Sequence, residues 1–428
     1  MKRFLVVLLV LVMFMSLVAC GSISTPTDSS APTSSGTKAD DWSEPLEMVL
    51  MTKDSAASGF ADWLKKVEEA CNIKIIVIAT STNTETRQAE VTTTLSTSEK
   101  NVDIITVNDE MYTAFKNTGW LVDFSDLIMT KDVVEKFPQQ YMKDSVIGSE
   151  GQIYSVPMYF SALGWFVNTN IAKKLGYESI STIDDLMGFI AAATNDSCYG
   201  YGGAWDSAYA FNEIGSFVNL WGGDYFDWTN VRTQKGIETL YNICKNGYTT
   251  TAQIANKYEQ LYQNMIDGKT AICLLYTGNI SKFKKAGVYG KDGYIQMITP
   301  PVFDDSVGAC AYCSSWHYIL NAAGANQEGA KRFLTYAASE EGQMDYALSF
   351  GVFPAYIDLI NDAQLDNIAG IDDMRSYCKS VTLRGRPIVP EAAEYINDIG
   401  NLFQKLVMNK IDLGTFYKEA QTATEKYK

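Results

Sequence analysis

Three short runs of β-branched and apolar residues constrain the fold of this chain more than any other feature. They cover 46–51 (LEMVLM), 73–79 (IKIIVIA) and 103–107 (DIITV), and a stretch with helical character separates each from the next. Phe60, Trp63, Leu64 and Val67 share one face of a helix over 58–71, and 84–95 reads as a helix with polar faces. Strands alternating with helices at this spacing build βαβ units and a parallel sheet. A short helix over 111–117 follows and stops at Gly119. Ser181 or Thr182 caps a helix running to Ala193, with Asp184 and Asp185 in its first turn where the helix dipole favours them. Further helices are predicted over 208–220, 233–246, 255–266, 327–338, 340–350, 390–408 and 413–426, and further strands over 270–275, 294–298 and 315–320.

The first residues speak for export. Lys2 and Arg3 precede an apolar run over 4–18 broken only by Ser16, too short for a comfortable membrane span but suited to a signal-peptide core. The run ends in Leu17-Val18-Ala19-Cys20, an order similar to the bacterial lipoprotein box. Residues 1–19 are therefore expected to be a leader, and Cys20 the lipidated residue. Residues 20–43 carry a Ser/Thr/Pro-rich stretch that cannot bury a core and reads as a flexible stalk. The roughly 385 residues that follow exceed what one hydrophobic core usually serves, so two lobes are expected. Lys and Arg total 35 against 50 Asp and Glu, and so acidic a surface repels phosphate backbones and argues against nucleic acid. Cys71, Cys198, Cys244, Cys273, Cys310, Cys313 and Cys378 are scattered through apolar runs, as buried thiols rather than a disulfide framework.

The chemistry-bearing residues favour binding over catalysis. With His317 the single histidine, no multi-histidine zinc site can form, and no Ser-His triad exists except around that position. Cys310-Ala311-Tyr312-Cys313 has C-x-x-C spacing but no partner motif and no helix after it to lower a thiol pKa. Asp109 and Glu110 stand at the end of the third strand, where open α/β sheets bind ligands. As neighbours on a loop they need not face each other as acid and base, whereas hydroxyl acceptors need only point into a cleft. The chain has 8 Trp and 25 Tyr, many in glycine-punctuated segments such as 199–205 (YGYGGAW) and 221–225 (WGGDY). Aromatic planes stack on the apolar faces of sugar rings while carboxylates and amides take the hydroxyls.

Seven pieces in order resemble the family 1 extracellular solute-binding proteins, the substrate receptors of ABC sugar importers. They are 103–105 with 119–123 (GWLVD), 151–157 (GQIYSVP), 167–168 (VN) with Lys173 and 175–176 (LG), 182–186 (TIDDL), 267–272 (DGKTAI), 331–334 (KRFL) with 339–343 (SEEGQ), and 351–355 (GVFPA). The similarity runs from about Leu46 to the C-terminus. Val167 stands where the family's tyrosine is usual, and Cys313-Ser314 where Gly-Gly is common. The resemblance implies a maltose-binding-protein-like, two-lobed α/β fold of type II, each lobe a mostly parallel sheet flanked by helices, with the ligand cleft between. Residues 44–160 plus 312–354 would form the N-terminal lobe, and 161–311 plus 355–428 the C-terminal lobe. It also implies a monomer that hands a small solute, a mono- or oligosaccharide, to membrane permease subunits. No cofactor, metal or catalysis is expected, and the membrane is reached through the lipid alone. By family position Asp109 and Glu110 would face Trp205, Trp221 and Tyr276, with Tyr159, Ser161, Ser314 and Trp316 near the crossing strands and Arg384 or Arg386 at the rim. A polyamine, metal or peptide ligand, or a secreted carbohydrate-active enzyme, remain the alternatives.

Overall fold

The computed structural model describes residues 45–81, 84–386, 389 and 391–427. The leader, Cys20 and the Ser/Thr/Pro stretch lie outside the described residues. Among the described residues ten strands form one continuous sheet: β1 (Leu46–Thr52), β2 (Ile73–Ala79), β3 (Ile104–Asn108), β4 (Ser155–Asn168), β5 (Tyr199–Gly202), β6 (Thr270–Tyr276), β7 (Ile295–Ile298), β8 (Cys310–Leu320), β9 (Phe353–Pro354) and β10 (Thr382–Arg384). Their order is β2-β1-β3-β8-β4-β6-β5, with β10 beside β8 and both β7 and β9 beside β4.

The opening βαβ units are as the alternating runs require. β1 pairs parallel with β2 along its length and parallel with β3, and helices α1 (Phe60–Cys71) and α2 (Thr84–Ser96) make the crossovers. Beyond β3 the sheet is mixed rather than mostly parallel. β8 runs antiparallel to β3 and β4, and β4 runs antiparallel to β6, β7 and β9. The chain passes out of the β1–β3 group along β4 and returns along β8, and opposite passes through one sheet must pair antiparallel. Residues 155–162 of β4 lie against β8, and 163–167 lie against β6. Pro157 has no N–H for the ladder, and the register against β8 shifts between Pro157 and Tyr159.

Successive side chains of a strand point to opposite faces, and the core divides accordingly. Met48, Leu50 and Ile104 pack with Trp63 and Phe333, whereas Met51, Ile105 and Val107 pack with Val91, Met111 and Phe115. Trp63 meets Phe333 and Tyr346 edge-on at 6.2 and 5.7 Å. α1 can enter this core because Gly59 turns the chain at φ 90°, where a Cβ would stand 2.2 Å from the Ser349 carbonyl oxygen. A third cluster gathers Trp165, Trp205, Phe217, Trp228 and Phe403 around helices Ser207–Leu220 and Ala392–Val407. After Pro354 the chain first packs back on the β1–β3 side, with the Tyr356 ring on Phe137 at 4.6 Å and the Ile357 N–H donating to the Lys136 carbonyl.

Thr182 forms the expected cap: its hydroxyl accepts from the Asp185 N–H, and the Asp185 carboxylate accepts from the Thr182 N–H. The seven cysteines after Cys20 are free thiols. Burial pushes Cys310 up to about 11 and Cys71 up to about 12, so both are poor nucleophiles at neutral pH. Cys310 and Cys313 stand three apart on β8, on opposite faces of the strand, which separates the C-x-x-C pair.

Candidate functional site

Strands β1, β2 and β3 run parallel, so their carboxyl ends lie together, and the polar groups of interest gather there. β3 passes directly into helix α3 (Asp109–Lys116), and the Asn108 side chain caps it by accepting from the Met111 N–H at 3.1 Å. Asp109 and Glu110 are the first two residues of that helix, where carboxylates suit the dipole. Consecutive helical residues point about 100° apart, and the two carboxylates have different surroundings.

Asp109 faces the sheet. Its Oδ1 accepts from the Tyr141 hydroxyl at 2.5 Å and lies 2.8 Å from His317 Nε2, and its Oδ2 accepts from the Ser315 N–H at 3.0 Å. With its proton on Nε2, His317 donates to Asp109 while its Nδ1 accepts from the Ser155 hydroxyl at 3.0 Å. The imidazole stacks on Tyr112 at 5.3 Å. Burial acts to raise the Asp109 carboxyl, but the bonds from His317 and Tyr141 and the Arg386 charge outweigh it and hold the carboxyl below its ordinary range. Asp109, expected as a direct hydroxyl acceptor, thus spends its oxygens on β8 and Tyr141. Both His317 ring nitrogens are thus satisfied, as in a structural histidine.

Glu110 turns away from those partners, toward Arg386. It accepts from Asn108 Nδ2 at 2.5 Å and pairs with the guanidinium of Arg386. Arg386 also donates to Asn212 Oδ1 at 2.8 Å, lies 3.5 Å from the Tyr276 hydroxyl, and sits over the Tyr312 ring at 5.4 Å. Burial lowers its pKa to about 10, opposed by the Asp109 charge, so it stays cationic at neutral pH. The free space left between Asp109, Glu110, Phe211, Arg386 and Tyr395 is about 10 Å³, room for one water. In this arrangement Arg386 fills its own site.

The crossing strands supply the remaining walls. Tyr159 and Ser161 are the two β4 residues that escape full burial, and they lie in register with Trp316 and Ser314 of β8. Tyr159 stacks on Tyr346 at 6.0 Å. Trp316 carries Lys53 Nζ at 4.3 Å and the Arg87 guanidinium at 4.7 Å from its ring centre. Tyr276 stands edge-on to Tyr258 at 5.4 Å. Arg384, two residues before Arg386 at the end of β10, has its Nε 3.9 Å from Asp144 Oδ2.

Two expected residues are elsewhere. Trp205 is fully buried, donates to Glu213 at 3.0 Å and packs edge-on to Phe403 at 5.2 Å. Trp221 donates to Thr239 at 3.0 Å, packs on Phe303 and is covered by Lys235. Trp205 belongs to the cluster around helix Ser207–Leu220, and Trp221, partly buried, packs against the same cluster. The structure adds Asn212, Phe211, Tyr312, Tyr395, Lys53 and Arg87, none of which stood out in the sequence. Asn212 had a readable signal: it is a polar residue in a helix whose buried residues are mostly apolar.

A mixed sheet with two groups of strands joined by long crossing strands, and polar groups gathered beside the crossing, defines a two-lobed α/β ligand-binding protein. The description "bacterial extracellular solute-binding protein" matches residues 62–368, and the chain belongs to that family. No curated protein matches the chain in sequence. Among solved structures it is similar to the sugar-binding protein MalE from Xanthomonas citri, at 15% identity and TM-score 0.75 over 90% of this chain and 97% of that one. It is also similar to a cyclo/maltodextrin-binding protein complexed with maltotetraose, at 16% identity and TM-score 0.72 over 90% and 97% of the two chains. An ABC transporter solute-binding protein from Thermotoga lettingae, bound with α-D-tagatose, matches at 16% identity and TM-score 0.70 over 90% and 99%. At such identities the likeness establishes the maltose-binding-protein-like fold alone. Membership of an extracellular family makes this an exported protein, and among the described residues no helix is long and apolar enough to cross a membrane.

Proposed function

We propose that the chain is the receptor of an ABC importer, tethered through lipid on Cys20, that binds a carbohydrate and passes it unchanged to the permease. The observation that carries this reading is the meeting of Glu110 with Arg386, Asn212 and Tyr276 beside the Tyr312 ring. Acceptors, donors and an aromatic face stand together, which is what a polyhydroxylated ring demands. In the division at 160/161, 311/312 and 354/355, Glu110 belongs to one lobe and Arg386, Asn212 and Tyr276 to the other. A sugar touching both then favours the closed form by its differential contacts. Ligand hydroxyls replace Arg386 at Glu110, while Trp316 and Tyr159 wall the crossing.

Chemistry at the site favours a neutral ligand. A polyamine would meet Lys53, Arg87 and Arg386. A glycosidase needs two available carboxylates facing each other across the bond, whereas Asp109 is engaged by Tyr141, His317 and Ser315 and Glu110 by a cation. The test is calorimetry over mono- and oligosaccharides with Glu110→Ala and Trp316→Ala, melting measured alongside. We expect a ten- to hundred-fold loss of affinity, from about 1.5–3 kcal/mol per bond to a charged acceptor. Two variants that bind like the wild type would remove the site, and product formed on long incubation would favour the enzyme.

A further inference from the structure

Two acceptors hold Arg386. Glu110 pairs with its guanidinium from one side, and Asn212 Oδ1 accepts from Nη2 at 2.8 Å on the other. A guanidinium only donates, so the Asn212 carboxamide must turn its oxygen to Arg386 and its nitrogen away. That nitrogen donates to the Tyr258 hydroxyl at 2.6 Å. Asn212 is 5% exposed, and without this acceptor its Nδ2 would be a buried donor left unpaired.

Tyr258 is itself firmly placed. It is the first residue of helix Tyr258–Ile266, and its ring stands edge-on to Tyr209 at 5.1 Å and to Tyr276 at 5.4 Å. Tyr209 and Asn212 are three apart on helix Ser207–Leu220 and share one of its faces, so a ring packed on the first brings its hydroxyl to the second. Tyr276 ends β6 and reaches Arg386 at 3.5 Å. Burial, and after it the Glu213 charge, raise the Tyr258 hydroxyl above its ordinary value, so it stays a neutral phenol able to accept. Tyr258 does not border the small space between Asp109, Glu110 and Arg386.

We infer that Tyr258 is a positioning residue of the ligand site: its hydroxyl sets the Asn212 carboxamide, and the carboxamide holds the Arg386 guanidinium. The ligand class rests on the carbohydrate reading above, whereas the contacts do not. The role matters most when a ligand hydroxyl takes Glu110. Arg386 then gives up the partner on one side and keeps its place through Asn212. An amide fixed at both ends holds the guanidinium at one angle, while an amide fixed at one end lets it swing and spends affinity on ordering it.

The experiment is a double-substitution cycle on the exported chain, read by calorimetry with glucose, galactose, mannose, xylose and arabinose and their di- and trisaccharides. Tyr258→Phe keeps the ring and removes only the hydroxyl, and melting curves check that each variant folds. For the sugar that binds, Tyr258→Phe should weaken affinity about three- to tenfold, one hydrogen bond's worth. In the Asn212→Ala background the same change should alter affinity less than about twofold. A tyrosine that merely packs would cost the same factor in both backgrounds, and that result overturns the inference, as does unchanged affinity in a folded Tyr258→Phe. A second cycle needs no sugar. Tyr258 and Arg386 are joined through Asn212 rather than to each other, so the Tm losses of Tyr258→Phe and Arg386→Gln should sum to more than the loss in the double variant. Strict additivity there also overturns it. If no saccharide binds the wild type, the carbohydrate reading fails, and this second cycle still decides the role of Tyr258.

Discussion

Replacing Asp109 by alanine separates a scaffold role from a ligand role. The substitution removes the acceptor for the Tyr141 hydroxyl, His317 Nε2 and the Ser315 N–H, all buried. Three bonds to a charged acceptor at about 1.5–3 kcal/mol each set an upper range. Tyr141 and His317 lie 3.0 Å apart and can bond each other once the carboxylate is gone. We therefore expect a net loss of about 3–5 kcal/mol, the usual cost of removing one member of a buried polar network. An unfolding entropy of about 2.1 cal/mol/K per residue makes 1 kcal/mol worth about 1.3 °C in a domain of this size, so Tm should fall by about 4–6 °C by calorimetry. The pH dependence has a defined sign. The folded carboxyl is depressed, so its stabilisation is present above the unfolded value near 3.9 and is lost as pH falls through the folded value. The gap between variant and wild type should thus close in acid. A variant that melts within 1 °C of wild type but no longer binds sugar would refute the scaffold argument and return Asp109 to the ligand.

Glu213 titrates the other way. Burial raises its carboxyl to about 7, so its stabilising effect is full below about 4.5 and is lost as pH rises to about 7, a change on the order of 3 kcal/mol; urea midpoints against pH should show this slope in wild type and not in Glu213→Gln. Gly59→Ala should destabilise by about 1–3 kcal/mol, since φ 90° and the Ser349 carbonyl both exclude a Cβ; an unchanged urea midpoint would mean that the turn relaxes freely. Cys20→Ala should abolish incorporation of labelled lipid, and equal labelling of both proteins would remove the anchor from the proposed function.

What could be read in the sequence was local. The runs at β1, β2 and β3 are short, β-branched and bounded, and a cap at Ser181 or Thr182 follows from residue type, although only the structure selects Thr182 and pairs it with Asp185. β4 is the longest strand and escaped notice because all its residues but Tyr159 and Ser161 are buried. A strand covered on both faces has no alternation to display. β5 (YGYG) reads as a loop, yet its glycines serve close packing: a Cβ on Gly200 would stand 2.0 Å from the Ile190 carbonyl. The tryptophans misled for a related reason. Trp205, in a glycine-punctuated segment, was expected to face the ligand, while the side chain serves the buried Glu213 carboxylate, and only the folded chain brings Tyr201 and the Ala204 N–H to the same acid. Asn212 was legible in principle, as a polar residue in a mostly apolar helix.

The pair Asp109-Glu110 marks where sequence reasoning stops and geometry takes over. Position at the end of a parallel strand identifies the pair, but not which carboxylate does what. The turn of α3 sends one toward β8 and the other toward Arg386, and the two roles then depend on each other. Burial alone works against a charged Arg386, and the Asp109 charge opposes that penalty. Asp109 is tied to Tyr141, His317 and Ser315, so its charge remains whatever Glu110 does. On the proposed reading a ligand hydroxyl takes the place of Arg386 at Glu110, and the guanidinium then keeps a compensating anion in Asp109. It stays protonated and free to donate to the ligand. A site with Glu110 alone would have to choose between pairing its cation and binding a neutral sugar. With a second, fixed carboxylate behind the first, the guanidinium keeps a counter-charge through the exchange, and on the proposed reading Glu110 is held by hydrogen bonds from the ligand instead.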